Sequence, residues 1–317
     1  MISPATCVDS PQSEVPADLL GQSPLKTRWH QWKASAVVRG CVPLQRTLPS
    51  PKAGMPGILM YHRVVPDALP AGIAKPTWNV TPDRFFQQLR GLLQQGYQPW
   101  RLSDLLTADS QQIPDNVFVV TFDDGYANNC LHAVPILKEL QIPATIFLAT
   151  GYLDSDRPFP FDDWSAKGAD AVDRLTWRSL TRQECEQCLD SDVVEFGSHT
   201  HTHEDFRNRP HDFSESLEQS CDLLRREFGI RRPALSLPYG IINRGFAGPS
   251  WYTAARRAGL SCCLTTEEQL VDPAQSPFGW GRFIAEQHDT ASTLGVKLDG
   301  WRDAARDLWR QVRGRRP

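Results

Sequence analysis

Short apolar runs recur along this chain and alternate with stretches of helical period. GILMY at 57–61 and VFVVTF at 117–122 are continuous apolar runs of the length of a buried strand, as are ATIFLA at 144–149 and VVEFGS at 193–198. ALSL at 234–237 and LSCCLTT at 260–266 read the same way. Between them, residues 82–97 put Phe85, Phe86, Leu89 and Leu92–Leu93 on one helical stripe. Further helices are predicted at 132–141, around 179–190, at 213–228 and at 250–258. Strands of four to eight residues alternating with helices predict an α/β fold with a parallel sheet or barrel. No internal repeat and no Rossmann or phosphate-loop glycine pattern interrupts this.

The ends differ from this core. Residues 1–22 are polar, contain proline and lack any period, which predicts disorder. Ser23-Pro24 is a helix start, and Leu25, Trp29, Trp32 and Ala36 follow at helical spacing until Gly40. Residues 43–56 read as a Pro-rich linker. The expected organisation is therefore an N-terminal extension and linker at 1–56, a barrel domain at 57–300 and a basic helix or tail at 301–317. Residues 154–178 carry no periodic pattern but hold Phe159, Phe161, Asp162, Asp163, Trp164 and Trp177. A long connection in a compact domain is often functional. Aromatic rings and carboxylates are what a sugar-binding rim needs, so Asp163, Trp164 and Trp177 are candidate substrate contacts.

Two clusters carry candidate chemistry. In TFDDGY at 121–126 two carboxylates abut at the end of a buried strand, where parallel α/β sheets gather their ligands. Adjacent aspartates repel unless a cation or proton separates them. A metal on one and a water activated by the other resolves that, whereas a plain Asp-Asp-Gly surface turn is the alternative. In GSHTHTH at 197–203 His199 and His203 lie four apart, and one helical or turn-like segment can aim both at one ion. His201 faces away from such a site. Together the clusters supply one Asp and two His with open positions, the donor set of a hydrolytic metal centre, and leave one aspartate as a base. Imidazole suits Zn2+, with Co2+, Ni2+ or Fe2+ as alternatives.

TFDDGY and SHTHTH, in this order and at strand ends, resemble the first two motifs of the NodB-type polysaccharide deacetylases, carbohydrate esterase family four. ILMYHRV at 58–64, the segment 79–106, LTWRSL at 175–180 and LPYG at 237–240 extend the resemblance, and the leading ILMYH is similar to exopolysaccharide-type members. The resemblance implies a distorted (β/α)7 barrel. It implies removal of N-acetyl groups from an amino-sugar polysaccharide or lipid-linked glycan. By the same resemblance Asp123 is the base, and Asp124, His199 and His203 are the metal ligands. Pro238, Tyr239 and Gly240 match the third motif, where the Tyr239 N–H helps hold the oxyanion. Two departures stand out. Many relatives carry an arginine two residues before that proline, where this chain has Ser236; Arg231, Arg232 and Arg282 are the candidates to replace it. The late L-x-x-H motif is also missing, since His288 lacks the leucine. Leu59-Met60-Tyr61-His62 fits that motif at the start of the barrel, and first and last strands of a barrel are neighbours. A permuted arrangement then makes His62 the acid. A non-catalytic carbohydrate-binding relative and an ester O-deacetylase are the competing readings.

Composition adds location. The chain has 317 residues, 40% of them hydrophobic, and a net charge of −3. No run of about 18 apolar residues is present, so no transmembrane helix is expected. The first twenty residues lack an apolar signal region, which predicts a cytoplasmic protein. Residues 24–39 and 301–317 each carry +4, leaving −11 for the rest. Basic ends with Trp29, Trp32, Trp301 and Trp309 suggest peripheral contact with an anionic inner membrane face, against the alternative that they pack on the barrel. A nucleic-acid partner is not expected. Of the eight cysteines, Cys185 and Cys188 form a lone C-x-x-C on a predicted helix, and free thiols are expected throughout.

Overall fold

The computed structural model describes residues 38–43, 50–52, 54–66, 78–162 and 169–305. The disorder expected at 1–22, the helix start at Ser23-Pro24, and Trp29, Trp32 and Trp309 lie outside the described residues. So do Asp163 and Trp164.

The main sheet is built from parallel strands: β1 (Gly57–Tyr61), β4 (Gln98–Pro99), β5 (Val117–Phe122), β6 (Ala144–Leu148), β7 (Val194–Ser198), β8 (Leu235–Ser236), β9 (Cys263–Leu264), β10 (Phe278–Trp280) and β11 (Phe283–Ile284). β2 (Arg63–Val64) and β3 (Asn79–Val80) pair separately. The order around the main sheet is β10-β9-β8-β7-β6-β5-β1-β11, with β4 beside β5. Among the described residues the helices placed between and after these strands are α1 (Pro82–Gln94), α2 (Leu102–Thr107), α3 (Val134–Leu140), α4 (Arg182–Leu189), α5 (Pro210–Phe228), α6 (Pro249–Arg257) and α7 (Ala291–Leu298). Local signals set several boundaries. Thr81 caps α1 ahead of Pro82, Thr181 and Glu184 form a capping box on α4, and Gly229 closes α5 in the left-handed region at φ +70°. The helix expected at 132–141 begins earlier, as a π-helical turn at Asn129–Ala133 that runs into α3.

Alternation along each strand splits the apolar side chains between two cores. Phe118, Val120 and Phe122 of β5 point outward and pack with Phe85 and Leu89 of α1 and Leu137 of α3. Val117 and Val119 point inward, with Ile58, Phe147, Leu264 and Trp280 filling the lumen. Cys185 and Cys188 belong to the outer core as buried free thiols, so the C-x-x-C serves packing. Trp301 packs against Val38, Cys41 and Val296 of α7, so the described parts of the two basic ends cover each other.

The sheet is not a closed ring among the described residues. β10 pairs with β9 at one edge and β11 with β1 at the other, yet only Gly281 and Arg282 separate them in sequence. Three extended steps from Trp280 to Phe283 span at most about 11 Å, so the sheet curls until its edges come near each other. The crossover needs a glycine: a Cβ on Gly281 would lie 2.1 Å from the Glu267 carbonyl oxygen. Continued alternation from Trp280 then sends Arg282 into the lumen.

Candidate active site

Register brings the functional side chains to one end of the barrel. Tyr61 of β1 stands opposite Phe122 of β5, and the Asp123 N–H donates to the Tyr61 carbonyl at 3.0 Å. His62 and Asp123 therefore follow neighbouring strands at the same level. Asp124 turns the chain at φ +72°, with Gly125 at +81°. A non-glycine residue in the left-handed region costs on the order of 1 kcal/mol or more, strain that collects at functional sites. His203 at φ +50° and Tyr239 at +62° share this feature.

The histidine segment is a sharp bend, not a helix. His199 N–H bonds the Leu148 carbonyl at 2.8 Å, and His203 N–H bonds Thr200 Oγ1 at 3.0 Å. The bend aims both rings at Asp124. His199 Nε2 lies 3.3 Å and His203 Nε2 3.6 Å from Asp124 Oδ1, and the three ligand atoms sit within 4.8 Å of one another. His201 turns away, its Nδ1 3.0 Å from Thr150 Oγ1.

The trio fits a divalent cation. Metal–ligand bonds near 2 Å from one centre span such separations. His199 Nδ1 meets the Ser236 carbonyl at 2.8 Å, which fixes the tautomer and leaves the Nε2 lone pair facing Asp124. Burial, with the neighbouring His199 charge, holds the His203 imidazole down to about 3, so it is neutral and able to ligate. Burial works to raise Asp124, but the His199 hydrogen bond and the charges of His62, His203 and His199 bring it down to about 2. For His199, burial is outweighed by Asp123 and Asp124, and its pKa is raised.

Asp123 is gripped from the opposite side. Arg282 Nη1 meets Oδ1 and Arg282 Nη2 meets Oδ2, each at 2.7 Å, while Ser236 Oγ donates to Oδ2 at 3.1 Å. The guanidinium also donates to Thr121 Oγ1, Ser236 Oγ and the Thr265 carbonyl and is wholly buried. Burial favours the neutral acid, yet the charges of Arg282 and His199 and the Arg282 hydrogen bonds prevail, holding Asp123 well below the usual carboxylate range. Of the three candidate arginines, Arg231 and Arg232 are exposed ahead of β8, and only Arg282 reaches Asp123.

His62 shares the cleft: it is close enough to Asp124, Asp123, Arg282 and His199 to feel their charges, and burial lowers its pKa. Its ring stacks at 5.7 Å on Trp78, which is 40% exposed. His288 instead faces Glu286 at 3.5 Å, largely in solvent. The backbone turns at Pro238–Gly240, with Thr266 Oγ1 bonded to the Tyr239 carbonyl at 2.8 Å, while the Tyr239 ring meets His203 edge-on at 5.2 Å. Trp177 does not form a sugar-binding rim. It is 7% exposed and its indole N–H is committed to the Ala169 carbonyl. Thr121, whose hydroxyl carries no motif, and Trp78, which stands alone before β3, have no signature in the sequence.

A model of the polysaccharide deacetylase family matches residues 110–261. The chain is 23% identical over 234 residues to the poly-beta-1,6-N-acetyl-D-glucosamine N-deacetylase of Staphylococcus epidermidis, covering 71% of this chain and 73% of that protein. It is 31% identical over 119 residues to the Escherichia coli protein of the same name, covering 36% of this chain and 16% of that one. In fold it is similar to the Streptococcus pyogenes deacetylase PplD in complex with acetate, with a TM-score of 0.63 at 23% identity over 78% of this chain and 99% of that one. IcaB from Ammonifex degensii is equally similar, with a TM-score of 0.63 at 22% identity over 77% and 97% of the two chains.

Proposed function

We propose that this chain, whose residues 110–261 match the polysaccharide deacetylase family, hydrolyses N-acetyl groups of a poly-β-1,6-linked N-acetylglucosamine polymer. The choice of polymer is supported by the similarity to the poly-beta-1,6-N-acetyl-D-glucosamine N-deacetylases of Staphylococcus epidermidis and Escherichia coli. The observation that carries the chemistry is the division of labour between two adjacent aspartates. Asp124 shares its oxygen with two imidazoles, and Asp123, one residue away, faces Arg282 instead.

Asp124, His199 and His203 would hold a divalent cation, Zn2+ in our reading, with Co2+, Ni2+ or Fe2+ as substitutes. Such an ion supplies Lewis acidity and a water of lowered pKa. Asp123 takes the proton of the attacking water. Arg282 and Ser236 keep that carboxylate ionised and fix its plane, so it meets the water in one orientation. The Tyr239 N–H helps hold the oxyanion, and Pro238 shapes the turn that presents it. His62 gives a proton to the leaving amine, whose C–N bond breaks to release acetate and a glucosamine unit.

The test is acetate release from N-acetylated glycan oligomers, run with and without metal. Dipicolinate treatment is expected to abolish release and added Zn2+ or Co2+ to restore it. Unchanged turnover in metal-free protein, verified by elemental analysis, would remove the metal from the reaction.

The charge of +4 at each end supports a second proposal, that the enzyme works beside an anionic membrane, at its cytoplasmic face. Each Lys or Arg near such a surface adds roughly 1 kcal/mol. The full chain is expected to sediment with anionic but not zwitterionic vesicles, and equal recovery with both would refute this.

A further inference from the structure

Two imidazoles face Asp124, and they are held in place differently. His199 has the hydrogen-bonded partner usual for a metal-ligating histidine, the Ser236 carbonyl at 2.8 Å. The Nδ1 of His203 is buried and hydrogen-bonded to no other residue. Its backbone at φ +50° is in a sparsely populated region, so the backbone alone does not explain its pose. What lies against the ring is an aromatic stack. The Phe161 ring lies 3.7 Å from it, centroid to centroid, at an interplanar angle of 28°. Tyr239 closes a second side edge-on at 5.2 Å.

Phe161 sits in the connection between β6 and α4, where the described residues form only short 3-10 turns and an isolated bridge between Ser179 and Tyr126. A ring on such a segment keeps its place only if the segment is tied down. The tie is the next residue. Asp162, 5% exposed, accepts hydrogen bonds from the Arg63 guanidinium and from Tyr126 Oη, the latter at 2.9 Å. Arg63, itself 2% exposed, also donates to Tyr126 Oη at 2.7 Å and lies 4.2 Å over the Tyr126 ring. Phe159 bridges the same parts, edge-on to Tyr126 at 5.0 Å and stacked on Phe161 at 5.0 Å. Arg63 follows His62 and Tyr126 lies two residues after Asp124, so the tie reaches back to two of the strand ends that carry the site, those of β1 and β5. Burying a charge pair is expensive and is best understood where it sets register. Here the register it sets is that of Phe161 against His203.

We propose that Phe161 is a positioning residue for His203, doing by ring stacking what the Ser236 carbonyl does for His199, and that the buried Arg63–Asp162–Tyr126 cluster anchors it. This rests on the reading of Asp124, His199 and His203 as metal ligands.

The test uses the full chain and three variants, Phe161→Leu, Phe161→Ala and Asp162→Asn. Zn2+ affinity is measured by competition with a chromophoric chelator, and the visible spectrum of the Co2+ form is recorded. Loss of the outer partner of a ligating histidine typically weakens metal binding 10–100-fold. Phe161→Leu keeps most of the volume and removes only the ring, so it separates stacking from cavity formation. The expected result is a weakening of about 10-fold for Leu and up to about 100-fold for Ala, each with a changed Co2+ spectrum. Asp162→Asn should follow in the same direction. Unaltered affinity and spectrum in folded Phe161→Leu would overturn the inference. An unmodified chain that binds no divalent ion overturns it together with the proposed function. A chain that binds metal but releases no acetate overturns the proposed function alone, and the affinity series still decides this one.

Discussion

Asp123→Asn is expected to lower acetate release by about 10²–10⁴-fold, the usual contribution of a positioned base, while leaving bound metal unchanged. The separation follows from geometry. The three ligand atoms belong to Asp124, His199 and His203. Asp123 directs its two oxygens to Arg282 and Ser236 instead. Asparagine keeps the shape but cannot take a proton at neutral pH. One of its two positions also becomes an N–H donor facing the Arg282 and Ser236 donors, so some stability is lost as well. Elemental analysis with a turnover assay on the same preparation checks both halves. Full turnover would remove Asp123 from the chemistry. Loss of the metal along with activity would mean that Asp123 is a ligand.

The largest effect on stability is expected at Arg282. Its guanidinium is wholly buried and makes hydrogen bonds to Asp123, Thr121, Ser236 and Thr265. Arg282→Met removes the cation and leaves a buried carboxylate, a change that costs about 3–5 kcal/mol when one partner of a buried pair is lost. Lysine should not rescue it, because a point charge cannot reproduce two parallel bonds to one carboxylate. The pH dependence has a definite sign. In the native chain Asp123 titrates below its unfolded value. The stability it contributes is therefore full above the ordinary carboxylate range and is lost as pH falls through the folded value. Without Arg282, burial acts with less opposition and the folded value rises. The deficit of the variant should then be greatest near neutrality and shrink towards pH 3. Urea unfolding at several pH values tests this, and a deficit that stays constant with pH would show that Arg282 acts through packing alone.

Much of the catalytic group was legible in the chain because it is local. The Asp-Asp-Gly and His-x-x-x-His spacings each fall within a few residues after an apolar run, and an apolar run between helices becomes a strand whose end faces the ligand side. Strand and helix periods over 82–97, 117–122 and 193–198 were equally local, and α1, β5 and β7 form there. β10 and β11 carry no strand signal in sequence, because PFGWGRFIA has glycines where a strand would show alternation. Three arginines were equivalent on paper. Only the curl of the sheet, which carries the chain from the β9 edge to the β1 edge across Gly281, selects Arg282 and sets it on an aspartate 159 residues away. His62 is the intermediate case. The sequence determined its L-x-x-H spacing, and the parallel register of β1 with β5 brings it level with Asp123. The stacking of Phe161 on His203 has no signature in sequence at all. It depends on a buried ion pair between residues 63 and 162, and such a contact exists only once distant strand ends have been brought together. Local period and turn chemistry thus determined which residues this chain offers for catalysis, and the curl of the sheet decided which of them meet.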